Sequence, residues 1–293
     1  MGVTHSALFT LLALSVGILL TLALERAMLK RPPPTLEPAP PLPNADRLLS
    51  PGGPWLALLG VTLAAAVLPF GPGLIGSNLG IGVFYFIVVV DFVVLGVALS
   101  GWGANTRGAV DSYYRVTAQL VAYVIPLGLA LVGAIMMARS LSTVSIVEAQ
   151  RGLWFGVLQP LGFALYLVTG LMQAYRAPFA EVFSPTIGAG VLGVSSGWTR
   201  WAWRAALAGL LFVVAAMGAL LFLGGWLGPV LPGPVWMLLK TTALMALMLH
   251  IGQRLQPLST AQMLRLSWRI LIPAGLVNVL LVGGLILLGV RPQ

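Results

Sequence analysis

Leu79-Gly-Ile-Gly-Val-Phe-Tyr-Phe-Ile-Val-Val-Val-Asp91-Phe-Val-Val-Leu-Gly-Val-Ala-Leu-Ser100 carries a single charged side chain in twenty-two residues. A helix needs about 20 mostly apolar residues to cross a hydrocarbon core of about 30 Å. Inside lipid every backbone N–H and C=O must be satisfied within the segment, so a run this long and apolar is a helix and not a strand. Seven further runs read the same way. The eight expected spans are roughly 6–25, 55–70, 79–100, 117–138, 153–172, 205–224, 234–251 and 270–289. The expectation is an all-α polytopic membrane protein forming a single membrane domain over residues 1–293.

The flanking charges give an orientation. Arg26, Lys30, Arg31 and Arg47 follow the first span, and Arg107 and Arg115 the third. Arg176, Arg200 and Arg204 follow the fifth, and Arg254, Arg265 and Arg269 the seventh. The other side has only Arg139, Arg151 and Arg291, while Lys240 lies within the seventh span. Lys and Arg resist translocation, so the odd-numbered loops are expected in the cytoplasm and both termini on the opposite side. With no basic residue before it and several after, the first span reads as an uncleaved helix and not a secretory signal.

The formal charge of +9 therefore has a topological cause. Its residues are spread over four short loops and not gathered on one face with stacking aromatics, which argues against nucleic acid as a partner. The chain has no cysteine, and hence no disulfide, Cys-ligated iron–sulfur cluster or thiolate metal site. His5 and His250 alone build no haem or zinc site, so no metal is expected. The longest loops, about 27–54 and 173–204, are too short for a catalytic domain. The first holds Pro32, Pro33, Pro34, Pro38, Pro40, Pro41 and Pro43 and is expected to run extended. No half-to-half repeat or pair of interrupted helices is evident, which counts against an independent transporter.

Gly71-Pro-Gly73-Leu-Ile-Gly76 matches a dinucleotide fingerprint letter for letter, but no strand precedes it and no βαβ unit surrounds it. It reads as a turn between helices. The spacings Gly76/Gly80, Gly152/Gly156 and Gly193/Gly197 would permit close helix approach, though 35 glycines produce several such pairs by chance. Polar groups at membrane depth say more, because charge is expensive there. Asp91 reads either as a proton-relay or ion site, or as a neutral acid bonded to another helix. Lys240, near the outer start of its span, reads as a proton-path group or as a side chain reaching back to the interface. Gln119, Tyr123, Gln173, His250 and Asn278 read as interhelical hydrogen-bonders.

Tyr175-Arg176-Ala-Pro178-Phe179-Ala-Glu181 stands where the fifth span meets the cytoplasm, and Glu25-Arg26 ends the first. Together they form a polar cluster beside lipid, suited to the head group of an amphipathic, membrane-dissolved molecule. Their alternative reading is as ordinary interfacial residues at helix ends.

Several stretches, in order, resemble the H subunit (subunit 1 in mitochondria) of respiratory NADH:quinone oxidoreductase, complex I. They are Glu25-Arg26, Leu68-Pro-Phe-Gly-Pro-Gly73, Ser100-Gly-Trp102-Gly-Ala-Asn105, Gln119 with Ile125-Pro-Leu-Gly128, and Ile146-Val-Glu148-Ala-Gln150. Then come Gln159-Pro160-Leu-Gly162, Arg176-Ala-Pro-Phe179, Phe222-Leu-Gly-Gly-Trp226, Pro232-Gly-Pro234 through Lys240-Thr241, and Gln262 through Arg265 to Trp268. The likeness runs from about residue 45 to the C-terminus and includes the first span. It implies an inner-membrane subunit joining a peripheral electron-transfer arm to antiporter-like, proton-pumping subunits. The substrate handled is quinone, with electrons from an iron–sulfur cluster in a neighbour. Glu25, Arg26, Arg176, Phe179 and Glu181 are then expected to line the quinone site, and Asp91 and Lys240 to lie on the proton path.

The chain also departs from the family. Acidic residues are usual in the family where this chain has Val124, Gln173 and Ala180, and the segment 182–191 lacks the family's glutamates. A proton wire needs groups that exchange protons, and Val and Ala do not. Two other readings stay open: a structural paralogue without the chemistry, and the equivalent subunit of a membrane-bound hydrogenase.

Overall fold

The computed structural model describes residues 3–28, 44–180, 183 and 190–289. Residues 29–43, with the proline-rich stretch, and Glu181 lie outside the described residues. Among the described residues the chain is helical, with one isolated β-bridge, Gly71 to Leu74. The helices are α1 (Val3–Met28), α2 (Leu49–Ala66), α3 (Gly82–Val90), α4 (Phe92–Gly103), α5 (Arg107–Ala138), α6 (Thr143–Glu148) and α7 (Phe155–Leu158). They continue as α8 (Pro160–Gln173), α9 (Val191–Val194), α10 (Gly197–Phe222), α11 (Gly233–Arg254), α12 (Thr260–Leu266) and α13 (Ile272–Leu287), with a π-helical turn, Ser267–Leu271, joining the last two. Seven segments are long and apolar enough to cross a membrane: α1, α2, α3 with α4, α5, α10, α11, and α12 through α13. The chain is a multi-pass membrane protein.

The eighth expected span, 153–172, is not one continuous helix. It is split into α7 and α8 at Gln159, whose φ of −133° and ψ of 67° leave the helical region. Pro160 causes the split: it disfavours helical geometry in the residue before it and suits the first position of a new helix. A second, milder interruption falls at Asp91, between α3 and α4. Interrupted helices are thus present where the sequence pattern showed none. The other spans shift at their ends. α2 starts at Leu49, where the Asp46 carboxylate accepts from the Leu48 and Leu49 amides, both at 2.8 Å. Those two amides hold the Asp46 carboxyl below the usual carboxylate range. α5 begins ten residues before the expected 117, in a polar extension with an Asp111–Arg115 pair at 2.8 Å. The Gly71–Gly76 segment is the turn the sequence implies, with Phe70 N–H donating to Leu74 O at 2.8 Å and Gly73 at φ +77°.

α10 is the axis of the bundle. Every residue from Ala206 to Phe222 is buried, as expected of a helix apolar on all sides. α1, α2, α8 and α11 pack around it, leaving α1 and α13 with the largest share of outward-facing surface. α2 and α4 make the closest pair. A Cβ on Gly53 would fall 2.2 Å from Gly96 O, and one on Gly96 would fall 2.5 Å from Gly53 O. This backbone-to-backbone approach is the small-residue packing that membrane helices favour. It does not use the four-residue spacings: at Gly80, Gly152 and Gly197 a Cβ would meet nothing within 4 Å.

The helix ends that carry the basic residues meet at one end of the bundle. Asp46 N–H donates to Gly103 O at 2.7 Å, and Leu258 N–H to Pro178 O at 2.9 Å. At the other end the Gln150 side chain joins four backbone groups: its amide donates to Ile146 O and Leu220 O and accepts from the Phe155 and Gly224 amides.

Candidate functional site

At the basic end a cavity of about 340 Å³ opens between the ends of α1, α8 and α11 and the middle of α10. α1 brings Glu25 to it in its last turn. α8 ends at Gln173, and the chain then turns through Tyr175, at φ +51°, into Arg176 and the cis Ala177–Pro178 peptide. That turn delivers Arg176 opposite Glu25, with Nη2 2.6 Å from Oε1. Both side chains are largely buried, at 22% and 16% exposed. Arg176 Nη2 also donates to Leu207 O at 3.2 Å. Tyr175 and Gln253 complete the polar side of the wall, and Phe183, Leu192, Leu207 and Leu249 form the apolar side.

The expected residues are only partly brought together. Glu25 and Arg176 share the cavity wall. Phe179 lies behind it, 3% exposed, with its carbonyl accepting from Gln119 Nε2 at 3.1 Å. Arg26 is exposed and does not line the cavity, because it is the neighbour of Glu25 on a helix and takes a different face. Tyr175 and Gln253 line the wall although the sequence reading gave neither that role. Tyr175 stood inside the motif read as important; Gln253, beside the basic end of α11, had no signal to set it apart.

Asp91 accepts a hydrogen bond from the Tyr123 hydroxyl at 2.9 Å. Tyr123 is therefore the interhelical bonder the sequence implies, joining α5 to the junction of α3 and α4. Tyr175 is within electrostatic reach of both Asp91 and Tyr123, yet its hydroxyl has no hydrogen-bond partner among the described residues. Gln119 bonds across helices as expected, also donating to Met172 O at 2.7 Å. Gln173 is buried with both amide atoms unpartnered, and Asn278 with its Nδ2 unpartnered. His250 is exposed and makes no interhelical bond among those found, since it falls on the outer face of α11.

Lys240 belongs to the opposite end. Its ammonium donates to Leu223 O and Leu227 O, both at 2.6 Å, with Trp154 at 4.4 Å and Trp236 at 5.6 Å to the ring centres. At 5% exposure it is enclosed and does not reach out to the interface. The two carbonyls, left free where α10 ends, hold it in place. Among the described residues no group of three or more His, Cys, Asp or Glu is arranged to hold a metal.

These features define a class: a multi-pass helical membrane protein with a buried ion pair on the wall of a cavity that is polar on one side and apolar on the other. Comparison with known proteins makes this specific. The family described as NADH dehydrogenase matches residues 41–283. The first of two H subunits named for the NADH-quinone oxidoreductase of Rhodopseudomonas palustris (strain HaA2) is 37% identical over 250 residues, covering 85% of this chain and 78% of its own. The second H subunit of the Cereibacter sphaeroides (strain ATCC 17029 / ATH 2.4.9) oxidoreductase is 36% identical over 248 residues, covering 84% and 78%. The second H subunit of the Syntrophobacter fumaroxidans oxidoreductase is 33% identical over 262 residues, covering 83% and 77%. The chain belongs to the family of NADH-quinone oxidoreductase H subunits.

Proposed function

We propose that this chain is the membrane subunit of a complex I-type NADH:quinone oxidoreductase that forms the membrane wall of the quinone site. It links the peripheral electron-transfer module to antiporter-like membrane subunits and carries no redox centre of its own. It sits in the cell's inner (plasma) membrane with eight crossings and both termini on the non-cytoplasmic side. The observation that carries the reading is the Glu25–Arg176 pair on the cavity wall. A quinone has an apolar ring, and its carbonyl oxygens want donors; here donors face an apolar side across a space of about 340 Å³. Arg176 has its Nε unpartnered among the described residues, and so offers a further donor. Phe179 backs this wall, Arg26 lies outside it, and Glu181 is retained from its place five residues beyond Arg176. Asp91 is the ionisable group of the proton path. Lys240, expected on that path, serves instead as a clamp.

Val124, Gln173 and Ala180 favour a second reading, a structural paralogue or the matching subunit of a membrane-bound hydrogenase. One experiment separates the two. The tagged protein is purified in mild detergent, its partners are identified by mass spectrometry, and the complex is exposed to a photoreactive quinone. Quinone-reductase partners and labelling of the Tyr175–Ala180 peptide, reduced about tenfold in Arg176→Met, are the expected result. Hydrogenase partners, a second and acid-rich member of the same family, or no labelling would discard the quinone-site reading.

A further inference from the structure

The cavity and Asp91 are joined by two hydroxyls, and the joint is specific to this chain's side chains. Tyr175 forms part of the cavity wall and is 4% exposed. Its hydroxyl has no hydrogen-bond partner among the described residues, although it is within electrostatic reach of Tyr123 and Asp91. Tyr123 is 1% exposed and donates to Asp91 Oδ1 at 2.9 Å. Asp91 is only partly buried and lies where α3 gives way to α4. A buried hydroxyl without a partner costs about 1–3 kcal/mol, so an idle Tyr175 O–H is a poor structural element; phenylalanine would pack there without that cost. Beside these groups stand Val124 and Gln173, neither of which exchanges protons at ordinary pH.

We propose that Tyr175 and Tyr123 form a hydroxyl relay that carries protons between the cavity and Asp91, making Asp91 the proton-accepting carboxylate of this chain. This rests on the reading of the cavity as a quinone site. Starting from the bond seen, with Tyr123 donating to the carboxylate, Tyr123 passes its proton to Asp91 and takes one from Tyr175. Tyr175 is refilled by a proton from the cavity. One O–H bond breaks and one forms at each tyrosine oxygen, one O–H forms at Asp91, and both tyrosines end neutral. The net change is one proton moved from the cavity to the carboxylate, and no electron moves with it. Turning both hydroxyls round runs the relay the other way, from Asp91 to a reduced quinone oxygen. Tyr123 and Asp91 do not line the cavity, so they act by positioning and passing the proton and not by touching quinone.

The test uses the whole complex in proteoliposomes with Asp91→Asn, Tyr123→Phe, Tyr175→Phe and the Asp91→Asn/Tyr123→Phe pair. Quinone-driven proton translocation should fall at least about tenfold in each single variant, with no further loss in the pair, and Asp91→Glu should recover most of it. Infrared difference spectra taken on quinone reduction should show a carboxyl band that is absent in Asp91→Asn and unresponsive in Tyr123→Phe. A purely structural tyrosine would leave that band responsive. Wild-type translocation in Tyr123→Phe, or a responsive band in that variant, overturns the relay. If Asp91→Asn fails to assemble, Tyr123→Phe, which keeps the ring, still decides the matter. Failure of the quinone reading looks different: the wild-type complex itself would show no photoreactive-quinone labelling at the cavity.

Discussion

Lys240 shows how one residue can hold a charge at membrane depth. Its ammonium satisfies two carbonyls that the end of α10 leaves free and lies against two indole faces, an arrangement that replaces much of the lost hydration. Lys240→Met would keep the apolar volume and leave both carbonyls without their donor. Hydrogen bonds from a charged donor contribute roughly 1.5–3 kcal/mol each, so the variant should lose about 3 kcal/mol. The check is thermal unfolding in detergent, and an unchanged transition would remove the clamp from the account. Glu25 and Arg176 follow different logic. Their charges stand on the wall of a cavity, where a paired but accessible guanidinium can exchange its partner for a ligand. Both residues were legible in the sequence because charges at the ends of apolar spans are few. Tyr175 and Gln253 were not singled out, since tyrosine and glutamine at a membrane interface are ordinary and only the turn through Arg176 brings them to the wall.

At the scale of elements, apolar length located the helices, but packing and proline set their ends and breaks. The Gln159–Pro160 step is plain in the sequence. Its consequence, two helices in place of one, was hidden because every residue around it is apolar enough for a continuous span. The pairing of α2 with α4 was hidden for another reason. Gly53 and Gly60 on one helix, and Gly96 and Gly103 on the other, are each seven residues apart, so a search for four-residue spacings passes over them. Their contact distances provide a test with an internal control. A Cβ on Gly53 would meet Gly96 O at 2.2 Å, whereas one on its neighbour Gly52 would meet nothing within 4 Å. Gly53→Ala should therefore destabilise the protein by about 1–3 kcal/mol through backbone displacement. Gly52→Ala, which only gains helix propensity, should be neutral or slightly stabilising. Equal melting temperatures for the two variants would show that the α2–α4 contact does not limit stability.

For the whole molecule the open quantity is the number of crossings, and it turns on α7 and α8. Fourteen residues of α8 rise about 21 Å at about 1.5 Å each, short of a hydrocarbon core of about 30 Å. Phe155 to Gln173 taken as one path rises about 28 Å, which nearly suffices, and the Gln150 network ties its outer end to α10. The distribution of arginines then requires this path to cross, because otherwise Arg176 and Arg254 would be on opposite sides although Glu25 pairs with Arg176 and Leu258 bonds to Pro178. The chain has no cysteine, so one introduced thiol is a unique label. Leu153 and Ser77 are exposed at one end of the bundle, Ala177 and Gln256 at the other. In sealed cells a membrane-impermeant maleimide should modify Leu153→Cys and Ser77→Cys, and should reach Ala177→Cys and Gln256→Cys only after the membrane is opened. Leu153→Cys and Ala177→Cys reacting from the same side would reduce the crossings to seven. It would also place the cavity and the basic helix ends on different faces of the membrane, which the Glu25–Arg176 contact does not allow in one folded chain.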